Sequence, residues 1–267
     1  MAGTIVVGVD GGAQARDAIV LARAVAAATK ERLELVHAYP YDLLPLSGTV
    51  TEVTVAEALH DDNERATQQL RDELAPEAGL RVLPDTSPAR ALHEVCEDVG
   101  ADLLVLGSTG RGLAGHVVAG ETAKAALHHA PCPVLIAPRG LAAAPTGPRL
   151  ATIGVGFDGS AEALHARERA QGLARALRAR LVLLTAVASG GDAEGARERL
   201  SDRIGDHELE VLQGKAADAL VARSGGLDLL VLGSRGWGPV RRLLLGSTSE
   251  HVVRDAGCAV LVVPRGE

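Results

Sequence analysis

Aromatic side chains are nearly missing: this chain of 267 residues holds one Trp, two Tyr and one Phe. Its cores must be filled from Ala, Val, Leu and Ile. A hydrophobic content of 47% supplies enough for two cores and favours helices laid closely on a Val/Leu-rich sheet. Cysteine is scarce too. Three cysteines, an odd number with no CxxC pair, argue against a disulfide framework and suit a reducing cytosol. There is no basic excess, and a net charge of −7 argues against a nucleic-acid surface. No charged-then-apolar leader precedes the first strand, and no apolar run approaches the ~18 residues of a membrane span. The expectation is a soluble cytoplasmic protein.

What is abundant is patterned glycine. Gly233, Gly236, Gly246 and Ser247 stand in the run GSRGWGPVRRLLLGS, with two residues between the first two glycines and nine before the Gly-Ser pair. The apolar run LDLLVL (residues 227–232) precedes it and reads as a buried parallel strand. Closely spaced glycines after a strand let backbone N–H groups turn inward with no Cβ blocking a bulky anion. Ser247 then opens the helical stretch STSEHVVRDA, where orphan N–H groups and the helix dipole favour phosphate. Arg235, Arg241 and Arg242 could reach a phosphate from this loop, or be ordinary solvated charges. Ser247 and Glu250 also spell S-x-x-E, a capping box.

The pattern occurs twice. An offset of 126 residues gives Gly107, Gly110 and Gly120 after ADLLVL (residues 101–106), and aligns Cys132 with Cys258 as small, semi-buried structural residues. At an offset of 148, TIVVGVDGG (residues 4–12) matches TIGVGFDGS (residues 152–160), pairing Asp10 with Asp158. The difference of 22 assigns an extra middle segment, about residues 39–62, to the first half. A duplication of this period implies two whole domains, residues 1–141 and 149–267, joined by the exposed linker GLAAAPTGP.

In the second half, strands are expected at residues 152–158, 180–187, 207–213, 227–233 and 258–264, and helices near 161–178, 193–204, 215–225 and 247–255. Such alternation predicts an α/β fold with a parallel sheet covered on both faces. If the strand order is 3-2-1-4-5, Asp158 ends strand 1 beside Gly233 at the end of strand 4, and ligands sit at that switch point. Asp158 could accept hydrogen bonds from ribose hydroxyls or a base amine, or be a turn or N-cap residue. GVGFDG (residues 154–159) fits a dinucleotide fingerprint only by letter, because its first Gly lies inside the strand. Neither half has GxxxxGK[ST], so this is no P-loop protein. His128 and His129 are adjacent and read as a solvated helix end rather than a metal site.

The glycine spacing, the VGFDGS opening and the closing AVLVVP resemble the universal stress protein family across essentially the whole chain, as two tandem domains. The resemblance implies an adenine-nucleotide α-hydrolase-like fold, each domain a five-stranded parallel sheet of order 3-2-1-4-5 with helices on both faces. Its ATP-binding branch implies a ligand of ATP, or AMP or ADP, accompanied by Mg²⁺ held mainly by phosphate oxygens. Carried over by match, the cofactor-binding residues are Asp158, Ala186, Gly233, Gly236, Gly246 and Ser247, with Arg235 beside them. In the first half they are Asp10, Ala38, Gly107, Gly110 and Gly120. There Glu121 replaces the expected Ser or Thr: a carboxylate in the phosphate shell would repel the ligand by ~4 kcal/mol at 4 Å and an effective dielectric of 20 if uncompensated, or the side chain could turn away, since acids also suit a helix start. Nucleotide is therefore expected in the second half first.

No general base or metal cage is evident, so a regulatory role rather than catalysis is expected. The rival readings are an enzyme cleaving ATP between the α and β phosphates, and a nucleotide-free interaction module. Assembly follows from the edges: PVLIAP (residues 133–138) and AVLVVP (residues 259–264) are exposed fifth strands that could dock within one chain as a pseudo-dimer. A homodimer would then use another surface.

Overall fold

A computed structural model describes residues 3–39, 50–109, 113–234 and 245–264, with side chains from Glu57 onward in the helix that opens at Val50. The first half runs β1 (Thr4–Gly8), α1 (Ala13–Thr29), β2 (Arg32–Tyr39), α2 (Val50–Leu74), β3 (Gly79–Pro84), α3 (Pro88–Val99), β4 (Leu103–Gly107), α4 (Glu121–Leu127) and β5 (Val134–Ala137). A short 3-10 turn, Leu141–Ala143, lies in the linker. The second half repeats the order with β6 (Thr152–Gly156), α5 (Ala161–Leu177), β7 (Arg180–Val187), α6 (Ala193–Ile204), β8 (Glu208–Gln213), α7 (Ala216–Ser224), β9 (Leu229–Gly233), α8 (Ser247–Asp255) and β10 (Ala259–Val263).

Within each half the strands are parallel and ordered 3-2-1-4-5, and the halves join into one ten-stranded sheet, β3-β2-β1-β4-β5-β10-β9-β6-β7-β8. The central strands are buried on both faces, which explains their continuous Val/Leu composition. The two edges expected to meet do so: β5 and β10 pair antiparallel, with Val134 opposite Val262 and Ile136 opposite Val260. Both faces are continuous across this seam. One core packs α1 and α5 with Leu135, Ala137, Leu261 and Val263, and the other packs α3, α4, α7 and α8 with Val134, Ile136, Val260 and Val262. Alanines set the helix spacing: Ala15, Ala18 and Ala22 of α1, and Ala166 and Ala170 of α5, are fully enclosed.

β4 and β9 begin two residues into their apolar runs, each just after an aspartate that serves the neighbouring strand. Asp228 Oδ2 accepts hydrogen bonds from Ala151 N (2.9 Å) and Thr152 N (2.8 Å), using its carboxylate to satisfy the backbone where β6 begins. Asp102 Oδ2 does the same for Thr4 N at 3.2 Å. The extra segment of the first half falls between β2 and α2 and extends that helix to 25 residues, against 12 in α6.

Three local expectations are corrected. Gly246, not Ser247, is the N-cap of α8, and no side-chain cap bond forms, so the S-x-x-E pair makes no capping box. Cys132 and Cys258 are fully rather than half buried. The linker, although largely exposed, is anchored at its start by the buried carboxylate of Asp17 on α1.

Candidate nucleotide clefts

The carboxyl ends of β1, β2 and β4, with the start of α4, enclose a cleft of about 660 Å³. Its lining includes Asp10, Ala38, Gly107 and Gly120, four residues that the sequence places far apart. The equivalent cleft of the second half, about 200 Å³, is lined by Asp158, Ala186, Gly233 and Gly246. Gly110, Arg235 and Gly236 lie outside the described residues. Ser247 is exposed and is not among the lining residues; Thr248 and Ser249 take that place. Ser249 Oγ donates to Gly233 O at 3.3 Å, tying α8 to the end of β9.

The glycines ending β4 and β9 are required by close approach. A Cβ on Gly233 would sit 2.6 Å from the carbonyl oxygen of Glu162, and one on Gly107 would strike the carbonyl of Gln14. Helices α1 and α5 therefore lie directly against these strand ends. Each aspartate begins a tight turn, in keeping with the turn reading. Asp10 Oδ1 accepts from Gly12 N and Asp158 Oδ1 from Ser160 N, both at 2.9 Å. The intervening Gly11 and Gly159 have φ of 77° and 78°, which favours glycine in both halves.

Glu121 does not enter the first cleft as a bare charge. Its side chain is 93% exposed and receives a 3.0 Å hydrogen bond from Lys124 Nζ on the next turn. Polar groups that the motif did not flag instead surround the space. Ser108 Oγ and Thr109 Oγ1 line the cleft, are buried, and make no hydrogen bond. Ser234 Oγ, the repeat-equivalent of Ser108, is likewise buried and unpaired. The backbone N–H groups of both serines are held by the sheet, donating to Ala137 O and Val263 O. Only the hydroxyls are left over. The doubled LGS after β4 and β9 is the sequence signal that could have found them.

His37, Tyr39 and Asn63 also line the first cleft, where the second half has Thr185 and Ala186 at the end of β7. His37 Nδ1 lies 2.7 Å from Thr67 Oγ1, and Thr67 donates its own proton to Asn63 O. Thr67 therefore accepts, which places the imidazole proton on Nδ1 and leaves Nε2 as an acceptor. Burial lowers the His37 pKa, outweighing the nearby Asp10 charge and a hydrogen bond to the Asn63 backbone, so the ring is neutral at pH 7. The cysteines offer no nucleophile here. Cys96 is held protonated by its hydrogen bond with Cys132 and by burial, and burial pushes the Cys258 thiol up to about 12. Among the described residues, no three His, Cys, Asp or Glu side chains are grouped to hold a metal ion, and no helix is long and apolar enough to cross a membrane.

This geometry has counterparts. The sequence profile described as the universal stress protein family matches residues 1–138 and 191–264. The chain belongs to the universal stress protein family. A universal stress protein of Thermus aquaticus is 34% identical over 137 residues, 50% of this chain and 96% of its own length. One from Mycolicibacterium smegmatis is 28% identical over 287 residues, covering 97% of this chain and 96% of the relative. The crystal structure of a universal stress protein from Archaeoglobus fulgidus superposes with a TM-score of 0.72 at 20% identity, over 98% of each chain, a likeness of fold alone. The family profile takes in the first half to the end of β5 but omits residues 139–190, which contain Asp158 and Ala186 of the second cleft.

Proposed function

We propose that this universal stress protein binds ATP or a related adenine nucleotide as a regulatory ligand and is not an enzyme. The observation that carries the reading is the first cleft itself. Asp10, Ala38, Gly107 and Gly120 converge there with two buried hydroxyls, on Ser108 and Thr109, that lack a partner. A buried polar group left unpaired costs about 1–3 kcal/mol, which a bound ligand can recover. Asp10 and Asp158 take the nucleoside, Ala38 and Ala186 frame the base, and the glycine loops face the phosphates. Within those loops, Gly110, Arg235, Gly236 and Ser247 are assigned by motif. Mg²⁺ arrives with the nucleotide, held by phosphate and water oxygens.

In the same reading, residues 1–141 and 149–267 are two domains working in the cytoplasm. Because β5 and β10 cover each other, a homodimer uses a different surface. The reading is tested by mass spectrometry of small molecules released on denaturing the purified protein, followed by titration calorimetry. An adenine nucleotide is expected in the released fraction, with affinity weakened about tenfold or more by Asp10→Ala or Asp158→Ala. ATP should stay intact through many hours of incubation. Absence of any adenine ligand and of any calorimetric signal overturns the binding; steady phosphate or pyrophosphate release overturns the regulatory role.

A further inference from the structure

The two clefts share a frame and carry the same charge. Among the described residues each is lined by two carboxylates, Asp10 and Glu121 or Asp158 and Glu162, and by no Lys or Arg. They differ where β2 and β7 end. The strand register is the same in both halves, with Gly8 opposite Val36 and Gly156 opposite Leu184. One residue further on, His37 lines the first cleft where Thr185 lines the second, at 6% and 8% exposure. Each is followed by the alanine read above as framing the base, Ala38 or Ala186.

These two side chains offer a ligand different groups. A threonine hydroxyl rotates, so Thr185 donates or accepts as its partner requires. Among the described residues that hydroxyl makes no hydrogen bond. The imidazole of His37 is fixed. Its Nδ1 faces Thr67 Oγ1 at 2.7 Å, and that hydroxyl already gives its proton to Asn63 O. Burial keeps the ring neutral, so Nε2 presents a lone pair and no proton. Asn63 belongs to the same wall and donates from Nδ2 to Leu59 O at 2.8 Å, which leaves its amide oxygen as a further acceptor. The lining of the second cleft includes no residue of α6, and so has no counterpart of Asn63. The wall of the first cleft therefore calls for a donor on the ligand, whereas that of the second accommodates either kind of group. On a purine the 6-amino group is a donor and the 6-oxo group an acceptor. Two lone pairs facing each other in a buried site leave both groups unpaired.

We infer that the two halves differ in base selectivity: through His37 the first cleft takes a 6-aminopurine and rejects its 6-oxo analogue, whereas the second, with Thr185, takes both. The inference rests on the nucleotide reading above and adds to one half of it a residue that reads the base. It is tested by calorimetric titration of ATP and ITP into the full chain. The two ligands carry the same triphosphate and differ only in the base, so contacts to phosphate cancel from the ratio of their affinities. With the second cleft filled by Ala186→Phe, ATP should bind at least about tenfold more tightly than ITP. With the first filled by Ala38→Phe, the two should agree within about threefold. His37→Thr alone leaves both clefts open and gives the first the side chain of the second, so ITP should then titrate at every site that takes ATP. Equal affinities in the Ala186→Phe chain, loss of all ATP binding there, or a His37→Thr chain that weakens ATP and ITP in equal proportion, as a packing role would, overturns this inference and leaves nucleotide binding standing. No ATP bound by the unaltered chain overturns both.

Discussion

Asp17, in the second turn of α1, accepts a 2.8 Å hydrogen bond from the backbone N–H of Gly140, 123 residues away. Its second oxygen accepts from Ala142 N at 2.7 Å, so one buried carboxylate holds the start of the linker. The 3-10 turn at Leu141–Ala143 is thereby capped from a neighbouring helix rather than by its own N-cap residue, Gly140.

Asp17→Ala removes both bonds and leaves two backbone donors facing an enclosed space. The loss is expected to be about 2–3 kcal/mol, lowering Tm by roughly 5 °C or more, with Asp17→Asn in between because the amide keeps one acceptor. Thermal unfolding followed by circular dichroism checks it. Equal Tm values for all three proteins would show that the contact carries no stability.

The seam between halves gives a second test. Val262 lies between Val134 on β5 and Leu232 on β9, so proline there breaks a ladder in the middle of the sheet. Val262→Pro should cost about 3 kcal/mol or more and loosen the two halves. Small-angle scattering with the native profile, at an unchanged Tm, would contradict the pairing.

A third test uses two glycines. Gly233→Val drives a side chain into the Glu162 carbonyl, and overpacking of this kind costs about 1–3 kcal/mol. Ligand affinity of the second half should fall with it, because the end of β9 and the start of α5 together floor that cleft. Gly225, at the end of α7, has helical φ and open space where a Cβ would stand, so Gly225→Ala should leave both stability and binding intact. Denaturant titration and calorimetry on the two variants must separate them.

The fourth concerns acid. His37 has a folded pKa below its ordinary 6.5, so as pH falls the unfolded chain takes up the proton first. Stability therefore drops as pH falls below about 6.5 and levels off beneath the folded pKa, with no contribution from this group above that window. His37→Gln should flatten that part of the stability-versus-pH curve. An identical slope in wild type and variant would assign the acid loss to other groups.

Much of this was legible in the residues. The helices expected at 161–178 and 193–204 are found at Ala161–Leu177 and Ala193–Ile204, because apolar period, caps and flanking strands all agree there. The strand order followed from the family resemblance, and the meeting of β5 with β10 from the linker leaving the first edge directly. The polar exceptions were not legible. Asp17 on a helix reads as a solvated face, and only the distant linker makes it a buried cap. Ser108 reads as a loop residue, and its burial depends on β5 lying beside it. His37 and Thr67 meet because α2 lies over β2, a tertiary contact that the pattern of neither segment announces. Of the two readings of Glu121, the outward turn is the one found, and Lys124, one turn on, is the partner that the glycine motif does not announce.

The antiparallel seam has a consequence for reach. Strands β1–β5 run one way and β6–β10 the other, so the two cleft mouths open at opposite ends of one continuous sheet. A molecule seated at one mouth would therefore make no direct contact at the other. The molecule thus presents two separate addresses, back to back.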